Sequence, residues 1–250
     1  MSLSRKVAWN TAIQFIGRAI TMGINLILLR WMLTLLQEEG YGRYATVFAF
    51  VSLFELLADM GLNTIITKYI ARDEHNAEKT IANILGMRLL LSLCMISAIA
   101  IAIPFTSYSM DEKIGILLAS ISSVALLFNA VMMGIFQIKL KLEWQVVGSV
   151  AGSLLTLAIV GIAFLVQGSL LMVISARVLG NLFLLLITWF LAKKYFPLRF
   201  SFDWPFWKQI LKEAMPIGIA IIFWRLYFTV DILLLRSPAI ALPIGSPSHE

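Results

Sequence analysis

The chain has 250 residues, of which 60% are hydrophobic and only 14% charged, with a formal net charge of +6. A soluble domain carries about 25% charged residues. A soluble fold of this length cannot hide so much apolar side chain, so the surrounding solvent is largely lipid.

A spanning helix needs roughly 20 mostly apolar residues. Seven stretches qualify, at 9–36, 41–63, 82–104, 114–136, 145–167, 170–191 and 214–235. The first carries Arg18 in mid-run, is too long for a signal-peptide core and lacks a small-residue cleavage site, so it reads as a retained span. Between the sixth and seventh, Asp203–Glu213 reads as a short interfacial helix. Asp203 caps it, Pro205 suits its first turn, and Trp204, Trp207 and Leu211 give it an apolar side beside Lys208 and Lys212. The predicted organisation is an N-terminal lobe of about six helices over 1–195, a cytoplasmic interfacial linker over 196–213, the seventh span over 214–235 and a proline-rich tail over 236–250.

Lys and Arg favour the cytoplasmic side of short loops. With the N-terminus inside, twelve basic residues fall on inner segments, among them Arg5, Lys68, Lys79, Lys139, Lys141 and Lys193, and three (Arg43, Lys113, Arg236) on outer ones. This asymmetry predicts a cytoplasmic N-terminus. It also explains the positive charge by topology and by contact with anionic lipid head groups, so no nucleic-acid partner is implied.

No loop chemistry competes with this reading. Cys94 lies in an apolar run and has no partner for a disulfide. His75 and His249 have no neighbours at metal-ligand spacing, so no metal or cofactor is expected. There is no phosphate loop, dinucleotide fingerprint, nucleophile elbow or acid–base cluster, which argues against an enzyme.

The spans carry polar stripes. In the first, Asn10, Gln14, Arg18, Thr21 and Asn25 recur at helical spacing on one face. Such a stripe should line a protein interior or a wet cavity rather than face lipid. Ser52, Glu55, Asp59 and Asn63 repeat the pattern in the second, Arg177, Asn181 and Thr188 in the sixth, and Gly218, Arg225 and Thr229 in the seventh. Gly148-x-x-x-Gly152, beside Ser149-x-x-x-Ser153, reads as close helix packing. Arg30 lies off its stripe near the outer end, and Arg88 is near enough to the inner end of its span to reach the interface. Glu55 and Asp59 are candidate ion-pair or coupling partners for Arg18 or Arg88. Arg18, Arg177 and Arg225 lie deep in their spans, where a charge costs about 2.5–3.5 kcal/mol even on insertion scales. They are therefore the candidate substrate-cavity residues, with Gln14 and Asn25. Five arginines against three acids (Glu55, Asp59, Asp231) within the spans suit an anionic substrate, because guanidinium binds phosphate through paired hydrogen bonds.

Three segments carry a family resemblance. WMLTLLQEEGYGRYA (Trp31–Ala45) resembles the first-loop signature of polysaccharide-biosynthesis (O-antigen type) flippases. LADMGLNTIITKYIAR (Leu57–Arg72) resembles their D-x-G-L pattern, and EAMPIGIAIIFWRLYFTVDILLL (Glu213–Leu235) resembles their seventh helix. The resemblance as a whole extends over roughly residues 5–235. The resemblance implies membership of the multidrug/oligosaccharidyl-lipid/polysaccharide exporter superfamily, an all-α polytopic membrane fold of two lobes around a central cavity. The expected architecture is then the first lobe of a MATE-like exporter plus one helix, in the bacterial inner (plasma) membrane. The implied function is translocation of an undecaprenyl-pyrophosphate-linked oligosaccharide by alternating access, with cavity arginines on the pyrophosphate. By position, Arg18 and Arg225 resemble such arginines, whereas Arg177 is assigned from its stripe alone. The family continues after the seventh helix with a second lobe, and RSPAIALPIGSPSHE departs from that continuation. A missing C-terminal half is therefore an expected partner, beside the lipid-linked anionic oligosaccharide and membrane lipids. The alternatives are a multidrug antiporter of the same fold and a truncated, non-transporting fragment that needs a second half. Cavity charge separates the first from the leading reading, and downstream coding sequence separates the second.

Overall fold

The structure, a computed structural model, describes residues 3–72 and 76–236, with side chains other than those of 3–4, 6–7, 71–72, 222 and 224–236. Its described elements are helical: α1 (Leu3–Asp59), α2 (Leu62–Arg72), α3 (Ala77–Ala102), α4 (Met110–Ile138), α5 (Glu143–Leu165), α6 (Leu170–Ala192) and α7 (Trp204–Arg236), with a 3-10 turn at Ile103–Phe105. The proline-rich tail lies outside the described residues.

Among the described residues, five helices are long and apolar enough to cross a membrane, beginning with a stretch over Ala8–Ile70 and ending with Leu170–Ala192. Seven spans were expected. The first two are joined into one helical element, interrupted at Gln37, whose backbone (φ 57, ψ −175) is not helical. Straight, 63 residues would reach about 95 Å at 1.5 Å per residue, about three times a hydrocarbon core of ~30 Å.

Contacts show that α1 instead doubles back. Its first limb runs alongside α5, with Asn10 bonded to Leu140, Gly17 against Val146 and Trp31 stacked on Phe164. Its second limb runs alongside α4, with Arg43 at Ser109, Val47 at Gly115 and Glu55 at Ser123. Since α4 and α5 are joined by a tight turn and run in opposite directions, so do the two limbs. The ends near residues 10, 59 and 140 mark one side of the bundle, and those near 31, 43, 109 and 164 the other.

The outward surface is apolar. Phe15, Ile16, Met22, Leu26, Phe105 and Leu165 are exposed, Phe105 to 86% and Leu165 to 81%, which a water-facing surface would not sustain. With the five long helices, this makes the chain a multi-pass membrane protein.

Small residues set the close approaches inside. A Cβ on Gly152 would stand 2.6 Å from the Gly180 carbonyl, and one on Gly148 would stand 2.8 Å from the Thr188 methyl. The G-x-x-x-G pair therefore seats α5 on α6, as its spacing predicts.

Two elements depart from expectation. Residues 62–72 were read as the end of a span and a loop, yet α2 is a distinct helix with Ile65, Ile66, Tyr69 and Ile70 buried in a core shared with α3, α4 and α7. The interfacial helix and the seventh span form one helix, α7, continuous through Pro216. Asp203 does cap its start, accepting from the Phe206 amide at 3.2 Å. Ahead of it, residues 201–203 are laid along α3. The Ser201 amide donates to the Ala82 carbonyl, the Asp203 amide donates to Asn83, and Gly86 leaves room for the Ser201 carbonyl.

Candidate functional site

The α1 stripe meets α5 and α6. Thr21 and Asn25 face a groove of about 220 Å³ together with Ser149, Ser153 and Thr156 of α5 and Arg177 and Asn181 of α6. Toward the Gln37 break it continues into a second recess of about 180 Å³, where Asn25, Thr156 and Arg177 meet Tyr41 and Tyr44. Two of the five residues assigned to the cavity, Asn25 and Arg177, are thus brought together.

Arg177 sits seven residues into α6, about 10 Å from its start. Its guanidinium lies against the Tyr44 hydroxyl and 5.6 Å from the Phe48 ring centroid. A ring face attracts a cation without neutralising it, and among the described residues Arg177 forms no ion pair. Hydroxyls and amides converge on it, and one of them is fixed from behind: the Asn181 amide donates to Ser122 of α4 at 2.6 Å. The groove therefore offers one uncompensated positive charge amid neutral hydrogen-bonding groups, an arrangement suited to an anion or a polyhydroxylated ligand.

The other assigned residues fall elsewhere. Gln14 donates back to the Asn10 carbonyl of its own helix. Asn10 is buried and clamps the α4–α5 turn, donating to the Leu140 carbonyl at 2.8 Å and accepting from the Leu142 amide at 3.3 Å. Arg18 is exposed two turns from Asn25, on the open flank of the stripe. The Arg225 side chain lies outside the described residues, as do those of Thr229 and Asp231.

The second stripe does not join this groove. Glu55 accepts from Ser123 of α4 at 2.8 Å. Asp59 and Asn63 both accept from Arg88 of α3, at 2.8 and 2.6 Å. Of the two arginines named as candidate partners for Asp59, the structure pairs it with Arg88, which is fully buried at that ion pair and does not reach the interface. Lining of one interior by Asn10 through Asn25 together with Glu55 and Asp59 is therefore not what the packing produces. The two limbs of α1 turn their polar faces to different helices.

The D-x-G-L segment gains a physical meaning here. Asp59 anchors Arg88, and Met60 (φ 43) and Gly61 (φ 77) turn the chain into α2. A Cβ at Gly61 would stand 2.7 Å from the Gly218 amide nitrogen, so this turn docks directly on the α7 backbone. Left-handed geometry and close approach both require glycine at position 61.

Sequence reading missed several groove residues. Ser149 and Ser153 were read with the glycines as packing, yet the glycines pack and the serines line the groove. Thr156 extends their stripe at helical spacing, which was a usable signal. Tyr41 and Tyr44 come from the other side of the Gln37 break, and nothing in local spacing placed them beside α6. Thr188, assigned to the Arg177 stripe, is instead in a buried network, where it accepts from Asn129 at 2.9 Å while Gln145 donates to Asn129 at 2.9 Å.

No curated protein and no solved structure matches the chain. The family described as "Polysaccharide biosynthesis protein" matches it over residues 3–241, a stretch that takes in every described helix. Its members are transporters rather than enzymes. This multi-pass helical chain belongs to the polysaccharide biosynthesis protein family, and its role is in polysaccharide transport.

Proposed function

We propose that the chain translocates an undecaprenyl-pyrophosphate-linked oligosaccharide across the inner membrane by alternating access, with its N-terminus cytoplasmic and about seven crossings in all. The observation that carries this reading is the meeting of Asn25 and Arg177, from two separate polar stripes, around an uncompensated guanidinium. A deep arginine without a carboxylate partner favours an anionic substrate over a cationic drug. The recesses are smaller than the roughly 300–1,000 Å³ of drug-sized pockets, which suits a diphosphate head group held locally while the sugar chain lies in a wider space. Tyr41 and Tyr44 sit where a sugar ring next to that diphosphate would stack. Arg18 and Arg225 belong to the same proposal as further phosphate-binding arginines, and a second half of the exporter as the partner that completes the cavity.

The test is surface polysaccharide in a flippase-deficient strain complemented with the exporter, membrane protein level being measured alongside. Arg177→Ala should remove export at normal protein level, and Arg177→Lys should restore part of it, since Lys keeps the charge and loses the planar fork. Normal polysaccharide from Arg177→Ala at normal level would overturn the assignment.

A further inference from the structure

Helix α7 begins with two apolar faces, and the fold covers one of them. Trp207, Ile210 and Ala214 are buried in the core shared with α2, α3 and α4. On an adjoining face Trp204, Lys208, Leu211, Lys212, Met215 and Ile219 recur at helical spacing and line a recess of about 710 Å³. Trp204, Met215 and Ile219 are exposed there. The charges of this stretch are sorted. Its two acids turn to neighbouring helices, Asp203 to Lys79 at 3.9 Å and Glu213 to Lys68 at 3.5 Å. Its two lysines turn to the recess, and among the described residues neither Lys208 nor Lys212 forms an ion pair.

Depth follows from the partners. Thr67 of α2 is bonded to Gln137 near the α4–α5 turn, Phe206 meets the neighbouring Tyr69 ring, and Gly218 lies on Met60 and Gly61. Helix α7 therefore starts at the bundle end marked by residue 140 and runs inward. Trp204 and the two lysines lie toward that end, and Met215 and Ile219 lie deeper. From Lys208 to Ile219 is about 16 Å along the axis, close to the depth of one leaflet of a ~30 Å hydrocarbon core.

We propose that this face is a binding site for one anionic phospholipid of the surrounding leaflet, with its phosphate at Lys208 and Lys212 and an acyl chain along Leu211, Met215 and Ile219. The order along the helix, an amphipathic ring and unpaired cations first and only apolar residues deeper, is the order of the lipid itself. A zwitterionic lipid would bring its own cation to the lysines, and a soluble anion would leave the apolar stripe uncovered. The proposal rests on the chain being membrane-embedded. It does not depend on Arg177 or on export, since α7 lines neither recess of that groove.

The test is native mass spectrometry of the full chain, purified in detergent and titrated with phosphatidylglycerol or phosphatidylcholine. The wild type should retain phosphatidylglycerol preferentially. Lys208→Gln and Lys212→Gln should each weaken that retention roughly fivefold, the equivalent of about 1 kcal/mol per cation near a membrane surface. Lys208→Arg with Lys212→Arg should bind like the wild type, which separates loss of charge from misfolding. Lys113→Gln, at the other end of the bundle, should leave retention unchanged. A photoreactive amino acid in place of Met215 reports the occupant in native membranes, where an adduct of phospholipid mass is expected. Equal retention of the two phospholipids by the wild type, equal retention of phosphatidylglycerol by the double Gln variant, an equal loss in Lys113→Gln, or a photoadduct on a polypeptide alone would overturn the proposal.

Discussion

Two arginines within the helical bundle, Arg88 and Arg177, are held in opposite ways. Arg88 is fully buried, on Asp59 and Asn63, at the junction of α1, α2 and α3. Arg177 is exposed to a groove, faces aromatic rings and hydroxyls, and forms no ion pair among the described residues. Both pay the cost of charge in an apolar setting, but only one has that cost offset within the fold. Charge at depth is therefore not by itself a functional mark. The partner decides: a carboxylate at 2.8 Å makes Arg88 a structural clamp, and its absence leaves Arg177 with binding capacity to spare.

The comparison is open to test, beginning with its structural side. Arg88→Ala should destabilise the protein by about 3–5 kcal/mol, because it strands the Asp59 carboxylate in a low-dielectric setting. Detergent-resistant folding and membrane level should both collapse. In a double-mutant cycle, Asp59→Asn on the Arg88→Ala background should recover part of the loss, whereas additive losses would dissolve the clamp.

Arg177→Ala should leave stability within about 0.5 kcal/mol of wild type, as a substitution that breaks no buried pair should. It should cost substrate binding about 2–5 kcal/mol if its phosphate partner is desolvated. Arg18→Ala and Arg225→Ala should likewise reduce export, and Arg30→Ala much less. A thermal-shift scan beside the export assay gives the decisive contrast. If Arg177→Ala unfolds as readily as Arg88→Ala, the two arginines are not of different kinds.

Gly61→Ala probes the turn that holds Asp59 in place. The left-handed backbone alone costs about 1–2 kcal/mol with a Cβ, and contact with the Gly218 amide adds to it. Loss of protection in α2 and the start of α7 by hydrogen exchange is the expected readout, with the α5–α6 side unaffected.

The smallest effect belongs to Glu213. The Tyr69 hydroxyl beside it, and then the Lys68 ammonium, hold its carboxyl below the usual glutamate range. A carboxyl lowered in the folded state contributes at neutral pH, and its contribution is lost as the pH falls from the ordinary value of about 4.3 through the folded one. Docking of residues 204–218 on α2 should therefore weaken slightly in acid, and Glu213→Gln should flatten that dependence in hydrogen exchange.

Composition and apolar run length determined that the chain is helical and lives in a membrane, because lipid leaves the backbone no other open solution. Helical spacing determined that Thr21 and Asn25 share a face, that Arg177 and Asn181 share another, and that Gly148 and Gly152 admit a neighbour. These are properties of one helix, and one helix's geometry is written in its residues. Three short segments also carried the family.

Only tertiary structure decided which stripe meets which. The break at Gln37 sends the two limbs of α1 to different partners, α5 on one side and α4 on the other, so Asn25 meets Arg177 while Asp59 meets Arg88. Both pairings join separate elements: charge complementarity made Arg88 one candidate partner for Asp59, but no local period chose it over Arg18 or brought Asn25 to Arg177. The continuity of α7 through Pro216 and the burial of α2 were equally hidden. Each depends on a surface supplied by other helices, and it is that surface, rather than the segment's own propensity, that sets helix ends and orientation.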